Sequence, residues 1–167
     1  MRDLEALIQE RIASLLFSNP NRINYYEQYQ KIIEAYNQEQ DRSAIEKTFM
    51  DLMDLASSMS QEQQRYVREG FSSDEELSVY DMLFRDDLSK ADIKKIKEVA
   101  VSLLAKVKEK ISQLDHWTDK QETKAVVDTL IRDTLWNELP ECYDDLSISQ
   151  YRQRIYEYVY TRYPDVA

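Results

Sequence analysis

The fold is decided by two neighbouring stretches, SKADIKKIKEVAVSLLAKVKEKI (Ser89–Ile111) and HWTDKQETKAVVDTLIRDTLW (His116–Trp136). In the first, apolar residues recur at steps of three and four, which places them on one face of a helix of about six turns. The second stretch carries apolar residues at similar steps: Val127, Leu130, Ile131 and Leu135. This period is typical of an amphipathic helix. The two stretches therefore predict a helical hairpin at the centre of a bundle.

Helix starts, both in the hairpin and outside it, are predicted from capping signals, in which a Ser or Thr oxygen accepts a free amide of the first turn. The pairs are Ser43 with Glu46, Ser60 with Gln63, Ser73 with Glu76, Ser89 with Asp92, Thr118 with Gln121, and Ser147 with Gln150. Pro20 ends the first helix near Ser18, and Gly70 ends a short helix with a left-handed residue. The chain is predicted to be all-α, a single compact multi-helix bundle of about seven to eight helices around the central hairpin. Without a flexible linker or repeat, residues 1–167 form one predicted domain.

The composition excludes several classes of protein. The 32 acidic and 22 basic residues give a net charge of −10, so whole-surface binding to duplex DNA is disfavoured. Cys142 is the only cysteine and cannot form an internal disulfide. The amino terminus has no secretory signal pattern, and no apolar run approaches the roughly 20 residues of a membrane span. These features favour an intracellular protein that is soluble and does not bind membranes.

The residues that catalysis and metal binding require are scarce. Gly70 is the only glycine, whereas a phosphate-binding loop or a nucleophile elbow needs several. His116 is the only histidine and has no partner at a metal-ligand spacing. Acidic pairs such as Asp86 and Asp87 are better explained by helix ends than by metal binding. The sequence therefore predicts no catalytic residue, no metal site and no cofactor within this chain.

A run of lysines covers the polar face of the first hairpin helix. Its members are Lys90, Lys94, Lys95, Lys97, Lys106, Lys108 and Lys110. The simpler interpretation is a solvated helix face on which the lysine stems cover apolar surface. The alternative is contact with a nucleotide or with DNA phosphates. In that case the Trp117 ring stacks on a base, and Lys120, Lys124, Lys94 and Lys95 meet the phosphates.

The last segment has apolar side chains on two faces. If it is helical, Tyr151, Ile155, Tyr158 and Val159 share one face, and Tyr156, Tyr160 and Tyr163 share another. The second face is either buried within the domain or is a docking surface for a partner protein. Alternation of Tyr156, Tyr158 and Tyr160 also permits a short strand, but the cap at Ser147 favours a helix.

Several of these stretches, in this order, resemble a known protein family. They are NRINYYEQYQKIIEAYN (Asn21–Asn37), DEELSVYDMLFRDDLSKADIKKIKEVAVSLLAKVK (Asp74–Lys108), WTDKQETKAVVDTLIRDTLW (Trp117–Trp136) and YVYTRYP (Tyr158–Pro164). The chain is similar to the carboxy-terminal helical region of the restriction (R) subunit of type I restriction-modification enzymes. The resemblance rests on the order and extent of these stretches, because none of them is a catalytic motif.

The resemblance implies a function for the longer protein of which this chain would be a carboxy-terminal fragment. That R subunit would be an ATP- and Mg²⁺-dependent DNA translocase and endonuclease in the cytoplasm of a bacterium or archaeon. Its terminal region would dock the motor onto the methyltransferase core, formed by the modification and specificity subunits, and DNA would be reached through this complex. Two alternatives are an auxiliary domain that contacts nucleotide or DNA, and an all-α interaction module unrelated to restriction.

Overall fold

The structure is a computed structural model that describes residues 1–38 and 41–165. Within these ranges it is 82% helical, with no strand. The α-helices described are α1 (Arg2–Ser18), α2 (Ile23–Gln38), α3 (Arg42–Gln63), α4 (Arg65–Arg68), α5 (Asp74–Leu83), α6 (Lys90–Ser112), α7 (Gln121–Glu138) and α8 (Asp145–Arg162). The prediction of an all-α fold with about seven to eight helices is confirmed. The chain divides into two compact units, residues 1–75 and 76–167. The prediction of one domain stays a prediction.

In the first unit, α1 and α2 both pack on α3. Their contacts bury one apolar cluster, which consists of Ile8, Ile12, Leu15, Tyr29, Leu52, Leu55 and Met59. Tyr29 is the tyrosine of α2 that is buried in this cluster. Removal of this apolar surface from water is the main stabilising contribution to the unit.

A charged network is buried beside this core. Arg22 lies in a 3₁₀ turn, Pro20–Arg22, and its side chain is 2% exposed. Its Nε donates to Glu62 Oε1 at 3.0 Å, while Nη1 and Nη2 donate to the two carboxylate oxygens of Asp74 at 2.8 and 2.6 Å. Arg65 also binds Glu62, at 2.9 Å. Burial lowers the pKa of Arg22, but the bonds to Asp74 and Glu62 outweigh it, and the pKa is raised overall.

In the second unit, α7 packs against both α6 and α8. The predicted stripe of α6 runs from Ile93 to Ile111. Its residues from Ile96 onward are buried, together with Val99, whereas Ile93 is only partly buried; the full buried set is Ile96, Val99, Ala100, Leu103, Leu104, Val107 and Ile111. Opposing positions of α7, including Val127, Ile131 and Leu135, are fully buried. The predicted helical hairpin is confirmed, and α8 is its third packed helix.

The segment before α8 is held to the end of α5. The Tyr143 hydroxyl donates to the Leu83 carbonyl, and burial raises the Tyr143 pKa. Arg85 lies 4.9 Å from the centre of the Tyr143 ring and donates to the Cys142 carbonyl at 3.2 Å. These contacts place the start of α8.

Two predicted helix-end signals are confirmed. The Ser89 hydroxyl accepts the amide of Asp92 at 3.1 Å and caps α6. Gly70 has φ +87° after the short helix α4, in the left-handed region that glycine enters without a side-chain clash. The Phe71 amide then bonds to the Tyr66 carbonyl at 2.9 Å, which completes the helix end.

Four other predicted starts are corrected or refined. At α3 and α8 the caps are Asp41 and Asp144, which accept amides at 2.7 and 2.8 Å, so Ser43 and Ser147 lie inside their helices. Aspartate is as good a cap as serine, and here it comes first along the chain. Ser60 begins no helix, because α3 continues to Gln63. Thr118 lies in a 3₁₀ turn, Trp117–Asp119, and α7 has no side-chain cap.

Candidate protein-docking surfaces

The three tyrosines predicted for docking meet around one tryptophan. The Trp117 ring lies edge-to-face against Tyr156 and Tyr160, with ring centres 6.1 and 5.7 Å apart. Its Nε1 donates to the Tyr163 carbonyl at 2.8 Å. These four residues are called the α8 aromatic cluster below. Edge-to-face pairs of this kind contribute about 0.5–1.5 kcal/mol beyond the area they bury.

The turn before α7 fixes the position of Trp117. His116 has φ +48°, an unusual left-handed conformation for a residue other than glycine. The Thr123 hydroxyl donates to the Trp117 carbonyl at 2.6 Å and also reaches the Lys120 carbonyl at 3.0 Å. Thr123 thus stabilises the turn in which Thr118 was expected to be the cap. No signal in the sequence distinguishes the two threonines, because the turn depends on the φ of His116.

The cluster is buried at its centre and open at its margin. Trp117 is 1% exposed and Tyr160 is 41% exposed. Tyr156 and Tyr163 are half-buried. Burial, followed by the charge of Asp128 and by Tyr160, raises the pKa of Tyr156. The second face of α8 is therefore covered in part by Trp117 of the same unit, and Tyr160 is its most accessible ring.

Only part of the predicted phosphate-contact set comes together here. Lys124 Nζ lies 6.0 Å from the centre of the Tyr160 ring, which joins it to the cluster. Lys120 is exposed at the start of α7. Lys108 of α6 is near the cluster, since its Nζ lies 5.1 Å from the centre of the Tyr163 ring. Lys94 and Lys95 are exposed on the same helix but lie roughly 20 Å along it from Lys108, so they are not part of this site. In this arrangement a base cannot stack on Trp117, because the indole is buried.

Two apolar surfaces of the first unit were not anticipated. An open groove of about 860 Å³ lies between α1 and α2 and is called the α1–α2 groove. The second is the α3 strip, formed by Ile45, Phe49 and Met53, which are 39%, 47% and 46% exposed. Their spacing of four residues is visible in the sequence. It also fits the buried face of the same helix, so spacing alone does not distinguish covered from exposed positions.

The side chains that could perform chemistry are dispersed. Among the described residues, no group of three or more His, Cys, Asp or Glu side chains is placed to hold a metal ion. His116 Nε2 lies 3.5 Å from the carboxylate of Asp115, and both side chains are largely exposed. Over the same part of the chain, no helix has the length and apolar character required to cross a membrane.

These features define an α-helical protein that has accessible apolar and aromatic side chains on several of its helix faces. A family model described as "Type I restriction enzyme HindI endonuclease subunit-like, C-terminal" matches residues 1–149. The chain belongs to this family. Membership implies a complex with other subunits, since the family is that of an endonuclease subunit. No curated protein and no solved structure matches the chain. The matched residues end within α8, before Tyr156.

Proposed function

We propose that this chain is the assembly domain of a type I restriction endonuclease subunit. It attaches the ATP-dependent DNA translocase and nuclease of that subunit to the methyltransferase core of modification and specificity subunits. In this proposal the domain performs no catalysis, and ATP and Mg²⁺ act elsewhere in the subunit. Family membership supports the assignment to the restriction enzyme.

The observation that carries the docking role is the α8 aromatic cluster. Tyr160 presents an accessible ring on a support that its neighbours hold rigid, because Trp117 is buried and hydrogen-bonded to Tyr163. Protein interfaces are enriched in tyrosine and tryptophan, and a few rigid aromatic residues contribute most of the binding energy. A partner that covers Tyr160 would bury its ring at little cost in conformational entropy.

Measurement of binding to the purified methyltransferase core tests this role. The purified core is incubated with the 167-residue chain or with the variant Tyr160→Ala, and binding is measured by interferometry. We expect a loss of at least about tenfold in affinity, since truncation of an aromatic hot-spot residue costs about 2 kcal/mol or more. Phe84→Ala is the matched control, because Phe84 is also 41% exposed in the same unit.

The outcomes separate docking from a structural role. Retained helicity by circular dichroism, with binding lost in Tyr160→Ala and kept in Phe84→Ala, supports the proposal. Equal binding by the chain and both variants would reject Tyr160 as a docking residue. No binding by the unmodified chain at low salt would reject the docking function itself.

Contact with nucleotide or DNA is the competing proposal, supported by the lysine face of α6. The net charge of −10 opposes it at long range. Titration with ATP or with labelled DNA at low salt, followed by tryptophan fluorescence, provides a direct comparison. A saturable change that Lys94→Glu and Lys95→Glu abolish would favour this competitor.

A further inference from the structure

We propose that the α1–α2 groove binds an amphipathic helix from a partner protein, with basic residues along the flanks of that helix. This surface belongs to the first unit and is separate from the α8 aromatic cluster, so the inference does not depend on the docking role of Tyr160. The proposal is based on the shape of the groove, its apolar lining and the distribution of charge around it.

The groove exists because α1 and α2 both pack on α3 while contacting one another little. Gln9 of α1 and Tyr29 of α2 both line the groove. Between the two helices lies an apolar channel lined by Ile12, Leu16 and Ile33. Leu16 and Ile33 are only partly buried, although both contact the core cluster. A ligand would complete their burial.

The dimensions of the groove suit a helix. Its longer wall extends along α2 from Tyr26 to Gln38, which is roughly 20 Å, or about three to four helical turns. An amphipathic helix of that length presents anchors at positions i, i+4 and i+7, as in other helix-in-groove complexes. The polar rim includes Gln30, which donates to the Tyr26 hydroxyl at 2.8 Å, so hydrogen-bonding groups border the apolar channel.

The charge around the groove indicates which helix fits. Glu34 is the only charged residue that lines the groove among those the structure describes. Glu27 lies on the same face of α2, one turn before Gln30, and Glu10 is the neighbour of Ala13 at the rim of α1. Carboxylates thus flank the channel on both helices.

The basic residues of α1 and α2 do not offset these acids at the rim. Arg11 reaches Ser60 of α3, with a distance of 3.5 Å. Lys31 lines a separate hollow with Asp51 and Asp54 of α3. Arg2 lies at the first residue of α1, about 10 Å before Gln9 at the end of the groove. Lysine or arginine flanks on the occupant would complement the rim, and a second copy of this chain, with charge −10, would be repelled.

A synthetic peptide pair tests the proposal on the 167-residue chain. Both peptides are helical, have leucine at i, i+4 and i+7 and match the length of α2, but one carries lysine flanks and the other glutamate flanks. Binding is measured by fluorescence anisotropy at low salt. We expect saturable binding of the lysine peptide and at least tenfold weaker binding of the glutamate peptide.

Two variants identify the groove as the site. Ala13→Trp fills the channel from an exposed rim position and should weaken lysine-peptide binding at least tenfold. Ala35→Trp is the matched control, since Ala35 is an exposed alanine of α2 that lines a different hollow. The double variant Glu27→Lys and Glu34→Lys should reverse the preference, so that the glutamate peptide binds more tightly.

The results of these experiments either support the groove proposal or overturn it. Loss with Ala13→Trp, retention with Ala35→Trp and reversed preference in the double-lysine variant support the proposal. It is overturned if the lysine peptide does not bind, if both tryptophan variants bind equally, or if the charge reversal changes nothing. Dimers in sedimentation equilibrium that Ala13→Trp dissociates would instead assign the groove to a second copy.

Discussion

The two units use their apolar residues differently. In the second unit, the stripe of α6 is buried from Ile96 to Ile111, and the Trp117 ring packs against Tyr160 of α8. In the first unit, a charged network of Arg22, Glu62 and Asp74 is buried. Apolar side chains of the α3 strip and the α1–α2 groove remain accessible there. Periodicity thus identifies apolar faces in both units, but only packing shows which faces the chain covers itself.

The largest expected effect on stability is that of removing Trp117, which would disrupt the packing of the second unit. Trp117→Ala removes a fully buried ring and leaves a cavity, and we expect a loss of about 3–5 kcal/mol in the free energy of unfolding. Urea unfolding followed by far-UV circular dichroism measures it. Trp136→Ala is the control, because Trp136 is 58% exposed and should cost under about 1 kcal/mol. Equal losses for both variants would contradict the packing described for Trp117.

The matching test in the first unit removes the buried cation. Arg22→Met leaves Glu62 and Asp74 without their shared partner, and loss of one member of a buried ion pair costs about 3–5 kcal/mol. We expect a value near 3 kcal/mol, because Glu62 keeps its bond to Arg65. The measurement is again urea unfolding.

An exposed ion pair provides the control for Arg22. Arg42 binds Glu46 at 3.3 Å, but its side chain is almost entirely in solvent. Arg42→Met should therefore cost no more than about 0.5 kcal/mol. A loss for Arg22→Met as small as this would mean that solvent reaches the network. The Arg22 network would then stabilise the protein no more than the exposed Arg42–Glu46 pair does.

The sequence predicted the architecture well where one pattern had one structural outcome. The hairpin was predictable because the apolar steps of α6 and α7 fit no other element of comparable length. The helix end at Gly70 was predictable because few other residues enter the left-handed region. The buried network of Arg22 was not predictable. In the sequence Arg22 is one arginine in a polar turn, and its partners Glu62 and Asp74 lie 40 and 52 residues further along the chain. Such distant pairs leave no local signal.

The candidate site was predictable in part for a similar reason. The grouping of Tyr156, Tyr160 and Tyr163 follows from helical spacing, whereas their contact with Trp117 depends on the turn at His116. The α1–α2 groove could not be predicted, because its walls carry the same apolar steps as a closed interface. Its opening reflects the separation of two helices on α3, which the sequence of neither helix specifies.

A smaller effect is expected at the helix caps, which also tests a corrected prediction. Ser89→Ala removes the acceptor of the Asp92 amide and should reduce stability by about 1 kcal/mol. Ser43→Ala should change stability by less than about 0.5 kcal/mol, because Asp41 caps α3 and Ser43 is exposed in its first turn. Thermal unfolding of the two variants gives the comparison. A larger loss for Ser43→Ala would restore Ser43 as the cap.

The smallest expected effect is the pH dependence of the cap on α8. The backbone amide of Ser147 donates to Asp144 and lowers the pKa of that carboxyl below its usual value. Because the folded-state pKa is depressed, this contribution to stability is complete above about pH 4 and is lost as the pH falls through the lower folded value. Asp144→Asn keeps a cap that does not titrate. The difference in Tm between the native chain and this variant should therefore shrink as the pH is lowered from 6 to 2.5, while the many other carboxylates titrate in both proteins and cancel. A difference in Tm that stays constant over this range would mean that the Asp144 carboxylate contributes no charge-dependent stabilisation to α8.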